Sequence, residues 1–419
     1  MRRLFAEPGY TRLFAGLGTS MLGDSVMLLV LSMWVKTLTG SNALAGFTFF
    51  FMVLPALGGP LLGVWVDRLP RRPILVWGNL ASAVVVLPLV LVRDESDVWL
   101  IWAVAFLYGV SFTVLPAAVN GLLKELLPEE LLVDANSSLA TTREAFRLFG
   151  PLVGAAIFAT AGGWLVAVVD AASFVVAALF VATIAVEEAA PPSRTGFRDE
   201  VVAGLRFIRG DRVLRNVLTG LGTSILVIGF FESSIYAVLD AFDKAPTFAG
   251  VIVTVQGIGA VAGGITSSLV VRRLGEVAAT SVGLVTMALG TAAVALAPSL
   301  GVAMIGVVVL GVAIPWTFVA FTTLMQRRTP THLIGRVSAT SDVLLSGPQT
   351  VSLAVGAVLV SVLDYRTIFW IIATVMTLSA LQIVVSLRDQ VRDDVRAGGS
   401  PLEPVAAPVA DPTGGADLL

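Results

Sequence analysis

The chain has 419 residues, of which 56% are hydrophobic and only 13% charged, and its mean hydropathy is +0.91. Because a soluble domain carries charge at about a quarter of its positions, this composition excludes a soluble globular protein and predicts a polytopic membrane protein. The net charge of −2 indicates no particular partner. Cysteine is absent and His332 is the one histidine, so we expect no disulfide, no cysteine catalysis and no thiolate or imidazole metal site. No cofactor is expected either.

Twelve apolar runs follow one another along the chain. Each is long enough to cross a hydrocarbon core about 30 Å thick at about 1.5 Å per residue. Their predicted bounds are residues 13–38, 43–66, 73–92, 98–121, 136–161, 163–186, 215–239, 247–271, 277–297, 300–325, 339–363 and 366–387. An even number of spans places both termini on the same side of the membrane.

The basic residues predict the orientation. With the N-terminus inside, all but six of the 27 Lys and Arg residues fall in cytoplasmic segments. Four fall in outer loops, and Arg143 and Arg147 fall within a span. Since cytoplasmic loops accumulate Lys and Arg, we expect a multi-pass protein of the cell (inner) membrane with both termini cytoplasmic. Trp34, Trp99 and Trp164 lie near predicted outer boundaries and are interpreted as interface anchors.

The chain divides into two halves. We expect a six-helix bundle over residues 1–186, a cytoplasmic linker over 187–212, a second bundle over 213–387 and a disordered cytoplasmic tail over 388–419. Within the linker, apolar residues recur at helical spacing beside arginines, which predicts an amphipathic helix on the inner face. A plain connection between the halves is equally compatible with this pattern.

Two sequence matches indicate that the halves repeat. The segment Gly16–Ser20 recurs as Gly220–Ser224, at an offset of 204 residues, and Pro128, Leu131 and Gly154 correspond to Pro330, Leu333 and Gly356 at an offset of 202. Two unlinked matches at nearly the same offset predict two pseudo-symmetric bundles with a cavity between them.

Ionisable side chains inside spans are the sharpest functional signal, because each costs roughly 2.5 to 3.5 kcal/mol at the bilayer centre. Asp24 and Glu232 lie in the repeat-related spans 1 and 7 and are our candidates for proton coupling. The alternatives are a helix-packing carboxylate bonded to neighbouring hydroxyls for Asp24 and an outer vestibule group for Glu232. We interpret Asp170, Asp342, Gln256 and Gln349 individually as structural, and Asp240 as a solvated group at a span end.

The fifth span begins with a charged cluster. Arg143 and Arg147 lie one turn apart on one helix face, and Glu144 is spaced to neutralise Arg147. We favour a salt-bridge cluster at an inner gate over direct contact with a substrate.

A short loop with three arginines joins spans 2 and 3. It runs from Gly63 to Pro73 and reads GVWVDRLPRRP. It resembles the signature of the major facilitator superfamily between helices 2 and 3, roughly G-x-x-x-D-R-x-G-R-R. The matching residues are Gly63, Asp67, Arg68, Arg71 and Arg72, and Pro70 stands where the family usually has glycine.

Further patterns resemble the macrolide-efflux and enterobactin-exporter branch of the drug:proton antiporters in this superfamily. They are Tyr10–Phe14 leading to Gly23-Asp24-Ser25, the stretch Gly204–Ile208 before span 7, and Gln326–Val337. In span 5, Gly150, Pro151 and Gly154 partly match the antiporter signature g-x-x-x-G-P-x-x-G-G.

The resemblance implies an all-α protein of twelve transmembrane helices in two bundles. It further implies export of an amphipathic, drug-like or siderophore-like compound in exchange for protons, by rocking of the bundles. By analogy, Asp67, Arg68, Arg71 and Arg72 form part of an inner latch. Expected partners are the small substrate, protons and membrane lipid, with no nucleic acid, and a monomer is expected. A proton-coupled importer of a small nutrient and a lipid flippase are the alternatives, and no enzymatic activity is expected.

Overall fold

The structure, a computed structural model, describes residues 3–59, 62, 66, 68–186, 197–330 and 333–396, and its regular secondary structure there is entirely helical. The helices are α1 (Pro8–Thr39), α2 (Asn42–Val53), α3 (Arg71–Val86), α4 (Val98–Leu126), α5 (Glu129–Ala161), α6 (Gly163–Ala182), α7 (Phe197–Gly210), α8 (Arg212–Ala241), α9 (Ala249–Leu274), α10 (Glu276–Leu296), α11 (Leu300–Arg328), α12 (Ile334–Val362), α13 (Tyr365–Ser386) and α14 (Arg388–Arg396). Among the described helices, eleven are long and apolar enough to cross a membrane, and α2 is a shorter apolar helix. The expected all-α membrane fold is confirmed.

Several helices extend beyond the apolar runs that predicted them. Helix α5 begins at Glu129 rather than near residue 136, and α8 begins at Arg212 rather than at 215. Backbone hydrogen bonding continues past the last lipid-facing residue, so hydropathy alone underestimates helix length. At the start of α8, Asp211 accepts hydrogen bonds from the N–H groups of Val213 and Leu214, which stabilises the extra turn.

The second apolar run is not one continuous helix. Helix α2 ends at Val53 and is followed by a 3-10 segment, Leu54–Gly58. Pro55 lacks an N–H and favours this change of helix type, because it cannot continue the α-helical hydrogen-bond ladder. Residues 60–61, 63–65 and 67 lie outside the described residues, and they include Gly63 and Asp67 of the predicted loop signature.

The two halves use the same packing scheme. In the first half α1 contacts α5 and α6, α3 contacts α4 and α6, and α2 contacts α4. In the second half α8 contacts α12 and α13, α10 contacts α11 and α13, and α9 contacts α11. Counting helices from the start of each half, these are the same five pairs, so the two bundles have the same internal arrangement.

The bundles touch each other at one end. We call the end that carries Arg68, Arg71 and Arg72 the basic end, and the opposite end, which carries Lys36 and Asp240, the distal end. The main described contacts between bundles join α2 to α8 and α12, and α5 to α9, on the distal side. Gly250 of α9 lies against the backbone of α5 so closely that an added Cβ would meet the Pro151 carbonyl oxygen. The described contacts between the bundles therefore close the molecule at the distal end.

The linker helix α7 is present and packs on the second bundle. Ile208 is buried, Gly204 lies against the backbone of Arg336, and Thr340 donates a hydrogen bond to the Val201 carbonyl at 3.3 Å. Residues 187–196 of the linker lie outside the described residues.

The expected disordered tail begins with a helix. Residues 388–396 form α14, since Val391 packs against the core of the second bundle and the Gln390 side chain accepts a hydrogen bond from Arg328 at 3.2 Å. The expectation of disorder is therefore wrong for Arg388–Arg396, and residues 397–419 lie outside the described residues.

The three tryptophans do not share one environment. Trp99 and Trp164 are 64% and 49% exposed, as interface anchors require, but Trp34 is 6% exposed and packs against Gly163 and Phe158. The interface interpretation is wrong for Trp34, because its rotational position on α1 points it into the first bundle.

Candidate substrate and proton site

A cavity of about 490 Å³ lies in the wall of the first bundle. Helices α1, α3, α4, α5 and α6 contribute its lining, which is mostly apolar and aromatic with a few polar groups. The polar residues are Ser20, Asp24, Ser25, Asn79, Tyr108, Ser111, Asn120, Asn136, Arg143 and Arg147. Of the sequence-predicted site residues, the cavity brings together Asp24, Arg143, Arg147 and Pro151.

At one end of this cavity, a tyrosine links two carboxyl groups. The hydroxyl of Tyr108 on α4 lies 2.6 Å from Asp24 Oδ1 and 3.0 Å from Asp170 Oδ2. Asp24 lines the cavity, whereas Asp170 on α6 is fully buried behind it. A structural role for Asp24 through Thr19 or Ser20 was the alternative, but both hydroxyls bond their own helix backbone instead.

Close packing of α1 and α6 positions these carboxyl groups. A Cβ added at Gly23 would overlap the side chains of Ser173 and Asp170, so glycine is required for the helices to approach this closely. Asp24 follows directly in the chain, and Tyr108 enters from α4. Tyr108 was not among the predicted site residues, and its one mark in the sequence is that it is the lone tyrosine of an apolar span.

Two arginines face the cavity from α5. Arg143 lies close enough to Asp24 to interact with it electrostatically, and Arg147 interacts in the same way with Glu232 on α8. Within the described residues neither arginine makes a salt bridge, and the spacing-based pair of Glu144 with Arg147 does not form in this conformation. All three α5 side chains, at positions 143, 144 and 147, are exposed.

Glu232 lies apart from the Asp24 cluster. It is on α8 of the second bundle and does not line the cavity. Arg147 of the first bundle interacts electrostatically with Glu232, whereas Arg143 interacts with Asp24. The two predicted proton carriers therefore face different arginines. Asp342 is also outside the cavity, exposed on α12.

The glycine and proline of α5 form its crossing with α1. A Cβ added at Gly150 would overlap Ser25, and one added at Gly154 would overlap the Val26 carbonyl oxygen. Pro151 lines the cavity between them. These residues therefore set the distance between the helix that carries Asp24 and the helix that carries Arg143.

The predicted latch residues lie at the basic end. Asp67 lies outside the described residues, and Arg68 is exposed. Arg71 is buried against Gly121 of α4, and Arg72 donates a hydrogen bond to the Ala182 carbonyl at the end of α6. The described arginine contacts thus tie the start of α3 to its own bundle.

A polar cluster closes the distal end. Lys36 Nζ lies 2.7 Å from Asp240 Oδ2, Asn42 donates to the same oxygen at 3.0 Å, and the hydroxyls of Ser32 and Tyr236 are 2.7 Å apart. Lys36 is only 7% exposed and Asp240 47%. Asp240 is thus exposed at a helix end, as expected of a solvated group, and it also carries an ion pair between the bundles. Lys36 and Asp240 are 204 residues apart, as are Ser32 and Tyr236. This is the offset of the repeat, so equivalent residues of α1 and α8 meet at the pseudo-symmetry axis.

A family model described as Major Facilitator Superfamily matches residues 13–346. The chain belongs to the Major Facilitator Superfamily. Its members and relatives are transporters, so this chain is a transporter and not an enzyme.

Relatives within the Major Facilitator Superfamily include named efflux proteins at low identity. Macrolide efflux protein A of Streptococcus pyogenes is 20% identical over 91% of this chain and 96% of that protein. The multidrug efflux pump Tap of Mycobacterium tuberculosis (strain ATCC 25618 / H37Rv) is 26% identical over 84% of this chain and 88% of its own. An uncharacterized MFS-type transporter, YfiS of Bacillus subtilis, is 27% identical over 60% of this chain and 62% of YfiS, less than two thirds of that relative's length.

Solved structures share the superfamily fold. A bacterial homologue of the iron transporter ferroportin in its inward-facing state matches with a TM-score of 0.70 at 17% identity, covering 90% of this chain and 98% of that one. A bacterial homologue of ferroportin in its outward-facing state matches with a TM-score of 0.60 at 16% identity, covering 91% of this chain and 99% of that one. At these identities the likeness shows the fold alone.

Proposed function

We propose that this transporter exports amphipathic small molecules, drug-like or siderophore-like, from the cytoplasm in exchange for protons. The observation that carries the proposal is Asp24, a carboxyl group within an apolar helix that lies in the wall of a drug-sized cavity. Intramembrane ionisable residues that face a cavity mark ion or proton pathways. The efflux relatives support export as the direction.

The orientation of the cavity follows from the same proposal. We infer that the basic end and both termini face the cytoplasm, since basic residues concentrate there. The better fit to the inward-facing than to the outward-facing ferroportin homologue supports this inference. In this orientation the observed conformation is the inward-open one, ready to take a substrate from the cytoplasm.

The chemistry of the cavity supports an amphipathic substrate. Its volume of about 490 Å³ falls within the range of about 300 to 1,000 Å³ typical of drug-sized ligands. Aromatic rings of Tyr108, Phe112 and Phe174 offer flat apolar contact, and the amides of Asn79 and Asn120 offer hydrogen bonds. Few fixed charges oppose burial of an apolar body there.

Transport then proceeds by alternating access. Ionised Asp24 faces the cytoplasm while the distal cluster is closed. For export, the bundles rock until the cavity opens outward, which separates Lys36 from Asp240 and brings the basic ends together. A proton taken up by Asp24 outside returns with the empty carrier. Each proton moved through the full membrane potential supplies about 2.3 kcal/mol per 100 mV, which drives concentrative export.

One observation favours the second candidate, a proton-coupled importer of a small nutrient. Arg143 and Arg147 are exposed to the cavity and form no salt bridge within the described residues, so they are available to an anionic group. An imported carboxylate would bind these arginines together with a proton on Asp24. The same assay decides between the two directions.

The test uses everted membrane vesicles whose membranes contain the protein, with a pH gradient imposed across them. The first probe is the dye Hoechst 33342, and a panel of macrolides and catechol siderophores follows. Export predicts gradient-dependent uptake of at least one probe into everted vesicles, and its collapse with a protonophore. Asp24→Asn is expected to abolish concentrative uptake while probe binding persists, because the cavity keeps its shape. Asp342→Asn, a matched change outside the cavity, is expected to leave uptake intact.

Two outcomes contradict the proposal. Full concentrative uptake by Asp24→Asn would remove Asp24 from coupling. Gradient-dependent accumulation of an anionic nutrient in right-side-out vesicles, with no probe moved in everted ones, would establish import instead.

A further inference from the structure

A single hydroxyl group lies between two carboxyl groups in the first bundle. Tyr108 Oη is 2.6 Å from Asp24 Oδ1 and 3.0 Å from Asp170 Oδ2. A tyrosine hydroxyl has one proton to donate. It therefore donates to one carboxyl group only, and the second hydrogen bond requires a proton that comes from the other carboxyl group.

The distances distinguish the two carboxyl groups. A separation of 2.6 Å is typical of an O–H donating to an ionised oxygen, which gives bonds of about 2.5 to 2.7 Å. A separation of 3.0 Å lies at the long end of the range for neutral O–H···O bonds, about 2.5 to 3.0 Å. The two distances fit an arrangement in which Asp24 is the ionised acceptor and Asp170 is the acid that donates to Tyr108.

The surroundings agree with this assignment. Asp170 has no exposed surface, and its Oδ1 has no hydrogen-bond partner among the described residues. A buried carboxylate in that position would be costly, whereas a neutral acid with one satisfied O–H is tolerated. Asp24 instead lines the cavity, where the Tyr108 hydroxyl and the Arg143 guanidinium both face it.

The charged and titratable groups around Asp24 come from three helices. Tyr108 faces it from α4, Asp170 from α6 and Arg143 from α5, while α3 contributes only the uncharged amide of Asn79 to the cavity wall. All of them belong to the first bundle. Rocking of that bundle as a unit leaves their arrangement unchanged and does not open a path to Asp170.

We propose that Asp24, Tyr108 and Asp170 form a proton site with two carboxyl groups that exchanges one proton. Asp170 stays protonated, and through Tyr108 it supports the ionised form of Asp24. Proton uptake forms one O–H bond on Asp24 and breaks none on Tyr108 or Asp170. This proposal deepens the proposed function. It rests on that function in one respect, which is that Asp24 is the group that exchanges the proton.

The direct test is infrared spectroscopy of the purified, substrate-free protein from acid to mildly alkaline pH. Among the C=O bands of the protonated carboxyl groups, two are each expected to be lost in one single variant. One disappears as the pH rises and is missing in Asp24→Asn. The other persists at every pH and is missing in Asp170→Asn. A band that titrates and is lost in Asp170→Asn would overturn the proposal.

A proton count provides the second readout. Potentiometric titration of Asp170→Asn is expected to give the same number of exchanged protons as the unchanged chain, because an asparagine amide also donates to Tyr108. Tyr108→Phe is expected to keep the number but to move the midpoint of proton uptake up by about 1 to 2 pH units, since a hydrogen bond to the carboxylate is lost. A loss of one proton in Asp170→Asn, or an unmoved midpoint in Tyr108→Phe, would contradict the proposal.

Failure of this proposal is distinct from failure of the proposed function. Neither readout requires a substrate or transport, so both remain interpretable if no probe is exported. Tyr108→Phe and Asp170→Asn preserve side-chain size, and a single symmetric peak in gel filtration confirms that each variant folds. Conversely, loss of export in Asp24→Asn with a titrating Asp170 band would support antiport and refute the one-proton site.

Discussion

At the residue scale, the carboxyl groups of the two bundles have different surroundings. Asp24 lines the cavity and bonds Tyr108, whereas Glu232 lies outside it and faces Arg147 from the other bundle. A charge pair across two moving bundles changes with conformation, so Glu232 fits a role in the transition between states better than one in carrying the proton.

This difference predicts unequal effects of substitution. We expect Glu232→Gln to slow gradient-driven probe transport by about 5- to 150-fold without abolishing it, because coupling energies of this kind are about 1 to 3 kcal/mol. Probe uptake into everted vesicles measures the rate, and Asp24→Asn is the comparison. Complete uncoupling by Glu232→Gln together with full transport by Asp24→Asn would reverse the two roles.

The cavity residues differ in how readily a sequence reveals them. An acidic residue inside an apolar run, such as Asp24, is visible because of its insertion cost. Tyr108 carries no comparable insertion cost, and a tyrosine within a span is not unusual. Its role here depends on its contacts with two carboxyl groups from other helices, which the sequence does not show. Asp170 was noticed but interpreted as structural, because its partner was unknown.

At the scale of elements, the crossing of α1 and α5 depends on small residues. A Cβ added at Gly154 would overlap the Val26 carbonyl oxygen of α1. Because this obstacle is a backbone atom, it cannot be relieved by moving a side chain. By contrast, nothing lies within 4 Å of a Cβ added at Gly18 of α1.

We therefore expect Gly154→Ala to destabilise the first bundle by about 1 to 3 kcal/mol through overpacking. Gly18→Ala, the matched control, is expected to be neutral or slightly stabilising, because alanine favours the helix. The thermal unfolding midpoint in one detergent compares the two variants. Equal midpoints would show that the crossing relaxes at little cost.

Helix existence and helix contacts were predictable to different degrees. The apolar runs identify the spans, because burial in lipid acts on each segment separately. Their ends were less predictable, as α5 and α14 show, since polar helical turns at the basic end are stabilised by caps and by packing rather than by lipid.

At the scale of the whole molecule, the distal cluster holds the bundles in the observed conformation. Lys36 and Asp240 form its ion pair, and Lys36 is nearly buried. Removing one partner leaves the other charge poorly compensated in the closed state and so favours opening of the distal end.

We expect Asp240→Asn to shift the population towards the outward-open state several-fold. Spin labels on cysteines introduced at Glu95 and Ser299, at the distal ends of the two bundles, report this as a longer distance in pulsed electron resonance. The exchange Lys36→Asp with Asp240→Lys restores the pair and is expected to restore the original distance. An unchanged distribution in Asp240→Asn would exclude the cluster as a latch.

The absence of cysteine makes the proposed orientation directly testable. A membrane-impermeant thiol reagent applied to intact cells is expected to label a cysteine introduced at Glu95 but not one at Leu69. Labelling at position 69 with protection at position 95 would invert the orientation and with it the direction of the open cavity.

The sequence by itself determined the properties that add up segment by segment: the spans, the distribution of basic residues, the repeat and the family. These depend on lipid burial and on charge along the chain, which are local quantities. Only the tertiary structure decided that Trp34 is buried, that Lys36 meets Asp240 and that Tyr108 joins Asp24 to Asp170. Each of these depends on how far a helix is rotated about its axis and how closely it approaches its neighbours. Both quantities are set by the packing of one helix against another at small residues such as Gly23 and Gly154, so they cannot be read from one segment of sequence alone.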